Sequence, residues 1–126
     1  MIMKKTEGEK SKINNNSEII EKSEAIIMVE IIEYEPHSVV SKTIINKTTG
    51  NVSVMSFDNG EGLGEKIIPF DTFAQIIDGK AEIIIDGESH SLNTGQSIII
   101  PAHTSNKINA NERFKMIQTV IKSGYE

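Results

Sequence analysis

Gly60-Glu-Gly-Leu-Gly-Glu-Lys-Ile-Ile-Pro-Phe-Asp-Thr-Phe-Ala-Gln-Ile-Ile-Asp-Gly-Lys-Ala-Glu-Ile-Ile-Ile-Asp-Gly87 carries the strongest strand and turn signals in the chain. Phe73 to Ile77 is a β-branched and aromatic run, Asp78-Gly79 is turn chemistry, and Lys80 to Ile85 is a second strand closed by Asp86-Gly87. The second run alternates, with Ala81, Ile83 and Ile85 on one face and Lys80, Glu82 and Asp86 on the other. A two-residue loop at Asp86-Gly87 sets Ile85 opposite Glu88, Ile83 opposite His90 and Ala81 opposite Leu92. That register puts His90 and Leu92 on the apolar face.

Working outward, the same kind of segment recurs. Val39 to Ile45, Val52 to Phe57 (Val52, Val54 and Ser56 on one face), Glu88 to Leu92, Gln96 to Ile100, Lys107 to Ala110 and Arg113 to Ile121 are short strand candidates separated by Gly, Asn and Asp turns. The pattern predicts an all-β barrel or jelly roll. In the final strand Phe114, Met116, Gln118 and Val120 alternate with Lys115, Ile117, Thr119 and Ile121. Both faces are largely apolar, so one lines the barrel and the other meets a second layer or subunit. Gly60-x-Gly62-x-Gly64 looks like a phosphate loop but has no strand-to-helix context, and reads as a flexible turn toward Pro69.

The glycine spacing resembles the cupin superfamily. Its first motif runs glycine, five residues, His-x-His, three or four residues, Glu, six residues, glycine. Counting back from Gly79, the Glu position falls on Thr72, the two His positions on Lys66 and Ile68, and the opening glycine on Gly60. The second motif places its glycine and proline at Gly95 and Pro101, its inner glycine at His103, its His at Asn106 and its final Asn at Ala110. The resemblance covers roughly residues 39 to 121 and implies a cupin-type jelly-roll β-barrel, commonly a homodimer, with a ligand cavity inside. Cupins that bind metal present three His and one Glu or Gln into the barrel. Here the scaffold residues are present and the metal ligands are missing.

At those four positions stand an ammonium, a hydrocarbon and two weak neutral donors, which is no metal site; none is expected, nor any other cofactor. A substitute set of His103, Glu65 and Asp71 is conceivable, but strand alternation points Glu65 away from Lys66. Lys66, if it points into the barrel, is a cation able to bind a carboxylate or phosphate, or, with a depressed pKa, to act as a Schiff-base nucleophile. The plainer alternative is that it reaches out to the mouth or pairs with Glu65 or Asp71. The candidate ligand-binding residues are therefore Lys66, Ile68, Asn106, Met116 and Gln118, with His103 at the rim. Gln118, if buried, needs partners that Asn106 or a ligand could supply. His37 follows a proline in a loop and is expected to be exposed, and His90 is expected to pack. No serine or cysteine stands in a nucleophile motif, so no catalytic residue is assigned.

Composition bounds the rest. A chain of 126 residues is one domain, and a net charge of −5 with pI near 5.2 argues against a nucleic-acid partner. Cysteine is absent. The start Met1-Ile-Met-Lys-Lys has no apolar run behind it, and no stretch approaches the ~20 apolar residues of a membrane span. The cytoplasm is the expected compartment. Residues 1–24 are rich in Lys, Glu, Asn and Ser and read as a flexible polar tail before a barrel domain of residues 25–126. Ala25 to Ile32 is an edge strand or a short helix, which the pattern does not decide. The leading expectation is a metal-free cupin that binds a small organic ligand in the barrel cavity, an anion being one candidate class. The alternatives are a cupin enzyme, either an isomerase or a metal-dependent oxygenase with an unusual ligand set, and a homodimeric interaction module.

Overall fold

Asp78-Gly79 is a corner inside one continuous strand, not a hairpin turn. In the computed structural model, which describes residues 13–16 and 20–123, the described residues form nine strands. They are β1 (Ile13–Asn16), β2 (Val39–Lys47), β3 (Gly50–Phe57), β4 (Gly62–Ile67), β5 (Asp71–Ile85), β6 (Glu88–Asn93), β7 (Ser97–Ile100), β8 (Ser105–Asn109) and β9 (Phe114–Ile121). The two halves of β5 do not pair with each other. Asp71 to Gly79 lies between β9 and β7, whereas Lys80 to Ile85 lies between β6 and β8. The result is a curled all-β sheet in the order β1-β2-β3-β9-β5-β8-β4, a jelly roll whose inner face is the core.

The corner works through a bulge. Ile76 opposes Met116 and Asp78 opposes Lys115, so Ile77 is the extra residue. One inserted residue moves the buried positions from even to odd. Thr72, Ala74 and Ile76 are buried before it, and Ala81 and Ile83 after it. Gly79 is required at this place twice over. Its φ is +81°, and a Cβ there would lie 2.2 Å from the Arg113 carbonyl oxygen. The Asp86-Gly87 hairpin holds the register expected of it, with Ile85 opposite Glu88, Ile83 opposite half-buried His90 and Ala81 opposite buried Leu92.

Two expectations are corrected. The segment taken as a flexible turn toward Pro69 contains β4, which pairs with β8. Gly62 serves close approach there, since a Cβ would meet the Ile108 carbonyl oxygen at 2.4 Å. Ala25 to Ile32 is neither an edge strand nor a regular helix; it holds a single 3-10 turn at Met28–Glu30. This strap runs over the outer face of the sheet. Ile32 packs with Val40 and Val54, and Met28, Ile31, Ile77 and Ile117 surround them. The second apolar face of β9 thus meets a layer made by its own chain. Because the strap is irregular, its carbonyls need donors. Lys42 Nζ donates to Ile31 O at 3.2 Å, Lys115 Nζ to Val29 O at 2.7 Å and Ser56 Oγ to Glu33 O at 2.8 Å. Tyr34 pins its end, donating to Asp78 Oδ2 at 2.6 Å under the Arg113 guanidinium, 4.7 Å from the ring centre. Burial, then the Asp78 hydrogen bond, holds the Tyr34 phenol well above its usual pKa.

The polar tail expected over residues 1–24 falls mostly outside the described residues. Of its described part, Ile13–Asn16 forms β1, parallel to β2, and residues 20–24 precede the strap.

Candidate functional site

Successive levels of inward side chains show how the interior changes along its length. Directly opposed residues on neighbouring strands share a face, so the register reads out the lining. At one end Phe57 opposes Phe114, both fully buried, with ring centroids 4.4 Å apart and Val39 alongside. The next level is Met55 with Met116 and Ile76. Above it the lining turns polar: Thr43, Ser53 and Gln118 follow on β2, β3 and β9, and then Asn51 on β3. Gln118, Ser53 and Asn51 are partly open to solvent, and Thr43 is exposed. One end is a dry plug and the other a wet, polar mouth.

The cupin-motif positions meet at that polar end. Lys66 and Thr72 flank the turn between β4 and β5, and Ile100 and Asn106 flank the turn between β7 and β8. Two hydrogen bonds tie these turns together: His103 N donates to Ile68 O at 2.8 Å, and Ala102 N donates to Asp71 Oδ1 at 2.8 Å. Lys66 opposes Asn106 and therefore shares its inward face, with Cβ atoms about 5 Å apart by ladder geometry. Thr72 opposes Ile100 and Val120, and Gln118 is its diagonal neighbour across β9.

Asn106 is 2% exposed, and its Nδ2 reaches Lys66 O at the long distance of 3.5 Å. Thr72 is also 2% exposed, and its hydroxyl is the one buried side-chain polar atom without a partner among the described residues. An unpaired buried hydroxyl costs about 1–3 kcal/mol unless a ligand or water satisfies it. Lys66 is half-buried, with no carboxylate partner among the described residues. Burial lowers its amine pKa below the usual 10.5. Its sequence neighbour Glu65 is exposed.

The remaining candidates fall as follows. Ile68 is half-buried beyond the end of β4. Met116 is fully buried and forms the floor of the polar half, a packing position. His103 is exposed in the turn with φ +64°, so the structure sets its backbone at the rim while its ring stays in solvent. His37 is exposed at φ +58°, its N–H donating to Asp58 Oδ2 at 2.8 Å. Sequence reasoning left Thr72 out of the candidate lining, although its alternation with Ala74 and Ile76 marks it as inward-facing. It also missed Ser53 and Thr43, whose meeting with Gln118 depends on long-range register.

The donor set does not suit a metal. Lys66, Thr72 and Asn106 offer an amine, a hydroxyl and a carboxamide, and Ile68 offers nothing. Nor do His103, Glu65 and Asp71 assemble: among the described residues no three His, Cys, Asp or Glu side chains cluster as ligands. No helix among them is long and apolar enough to cross a membrane.

The fold has clear counterparts among solved structures. A conserved protein of unknown function from Streptococcus pyogenes superposes with a TM-score of 0.80 at 29% identity, covering 85% of this chain and 94% of that one. A cupin superfamily protein from Desulfitobacterium hafniense gives a TM-score of 0.74 at 26% identity, covering 82% and 94%. A cupin 2 conserved barrel domain protein from Leptotrichia buccalis gives 0.72 at 29% identity, covering 75% of this chain and 46% of that one. No protein-family model and no curated protein matches the sequence.

Proposed function

This chain belongs to the cupin superfamily, and we propose that it is a metal-free member that takes up a small organic anion at its polar mouth. The observation that carries the proposal is Thr72, whose hydroxyl is buried and unpartnered among the described residues, across the short β4–β5 turn from inward-facing Lys66, itself opposite Asn106. A carboxylate gives such a hydroxyl and carboxamide their acceptor and gives the lysine its counter-charge. The closed apolar end limits the ligand to the outer half of the interior. The metal-ligand positions have become an organic-ligand site, and the cytoplasm is the proposed compartment.

A thermal-shift panel in the presence of EDTA tests this. Ligand at 100 times its Kd stabilises the native state by about 2.7 kcal/mol, so a carboxylate that fits should raise the melting temperature by several degrees. Lys66→Met should abolish the rise. Equal rises with uncharged analogues, or with Lys66→Met, would count against an anion site.

We also propose a homodimer. Ile45, Val52, Thr119, Phe73 and Ile99 oppose one another in a row across β2, β3, β9, β5 and β7 on the outer face, beyond the strap. Ile45 is 50% exposed, Phe73 38% and Ile99 62%, and the row carries no charge. A contiguous uncharged stripe across five strands suits a second copy of the same face around a two-fold axis. Light scattering should return twice the 13.9 kDa chain mass, falling to a single chain mass in Ile99→Lys/Phe73→Asp. A wild-type monomer at micromolar concentration would rule the dimer out.

A further inference from the structure

We infer that Lys66 is a nucleophilic amine that forms an imine with a small oxo acid, a ligand carrying a carbonyl beside its carboxylate. The inference rests on the proposed anion site and narrows its ligand class. Three other features of the interior point the same way.

The other described lysines are either committed to a carbonyl or on outward, solvent-reaching positions. Lys42 and Lys115 are buried at 5% and 9% exposure, but each amine donates to a strap carbonyl. Lys80 is exposed on β5, and Lys107 shares the outward face of β8 with Asn109. Lys66 alone among the described lysines combines an inward-facing position, partial desolvation and the lack of a fixed acceptor. Withdrawal from water favours the neutral amine, and each unit of lowering raises the neutral fraction about tenfold near neutral pH.

The groups around it suit the rest of the reaction. Neutral Nζ adds to the carbonyl carbon, forming the C–N bond, and one of its two N–H protons passes to the carbonyl oxygen to give a carbinolamine. The second N–H proton then goes to the hydroxyl, the C–O bond breaks to release water, and C=N remains. No electrons are gained or lost, and water is the only by-product. Thr72 Oγ1 has no partner of its own and is available to hydrogen-bond the carbonyl oxygen or hydroxyl. Asn106 Nδ2, held only by a 3.5 Å contact, is available to the carboxylate. Among the described residues Lys66 has no ion-pair partner to hold it as a fixed ammonium: Glu65 is exposed, and Asp71 accepts from Ala102 N in the adjoining turn.

The experiment is reductive trapping on the full chain. The protein is incubated with glyoxylate and cyanoborohydride, then digested, and carboxymethylated lysines are mapped by mass spectrometry. Lys66 should label roughly tenfold faster than Lys80 and Lys107, consistent with an activated amine. Lys66→Arg should remove the fast site and leave the slow ones unchanged. Glycolate, which has the carboxylate without the carbonyl, should slow labelling at Lys66 only. Labelling of Lys66 no faster than that of Lys80 and Lys107 overturns the inference. If glycolate still raises the melting temperature in that case, the anion site stands and only the imine falls. If glycolate has no effect either, both fall.

Discussion

Replacing Phe114 with alanine is expected to lower the melting temperature by roughly 15 °C, from a loss of about 3–5 kcal/mol at the dry end of the barrel. Phe114 and Phe57 are both fully buried and stacked at 4.4 Å, and they close the interior below Met55 and Met116. The deletion removes apolar contact and leaves a cavity that the strands on either side, tied by β-ladders, cannot collapse to fill. Phe114→Leu keeps most of the volume and should cost much less. Equal losses for Leu and Ala in a denaturant melt would mean that the ring stack, rather than the filled volume, is what matters there.

Gly79→Ala should be the more damaging of two glycine substitutions that look alike in sequence. Both Gly79 and Gly87 follow an aspartate and sit at positive φ, +81° and +82°. Gly87 has open space around its missing Cβ, so alanine there meets only the left-handed backbone penalty of about 1–2 kcal/mol. At Gly79 the Cβ would also fall 2.2 Å from Arg113 O and 2.9 Å from Phe114 Cα, both backbone atoms. Strands β5 and β9 would have to part at the corner that sets which side chains face inward. Gly79→Ala should therefore cost at least about 3 kcal/mol, enough to unfold a marginal domain. Similar melting temperatures for the two variants would mean that the corner yields easily and does not fix the register.

These two Asp-Gly pairs also mark how far the sequence could be read. At Asp86-Gly87 the two-residue loop sets the register, so His90 opposite Ile83 and Leu92 opposite Ala81 follow from local chemistry alone. At Asp78-Gly79 the same dipeptide marks a bulged corner, because the first half of β5 pairs with β9 and β7 and the second half with β8 as well as the adjacent β6. The strap was undecidable for a related reason. Its apolar residues have neither strand nor helix period, and their order comes from two lysines and a serine on strands that all follow it, 11, 23 and 86 residues from the carbonyls they serve. The glycine-proline spacing of the cupin pattern located Lys66, Thr72 and Asn106 because it counts residues between turns. It could not reveal the polar level formed by Thr43, Ser53 and Gln118, which exists only through pairing across three strands. Met116 illustrates the opposite error. Face alternation correctly turned it inward, but alternation does not say how deep along the barrel a residue lies.

The proposed organic-anion site occupies the positions suited to metal ligands in this fold and works without metal. Titration calorimetry of a small dicarboxylate such as malonate, run in EDTA and again with added manganese or nickel, is its sharpest test. Saturable binding of the same affinity is expected in both buffers, with its loss in Lys66→Met. Binding that appears only when metal is added, or that survives Lys66→Met unchanged, would contradict it.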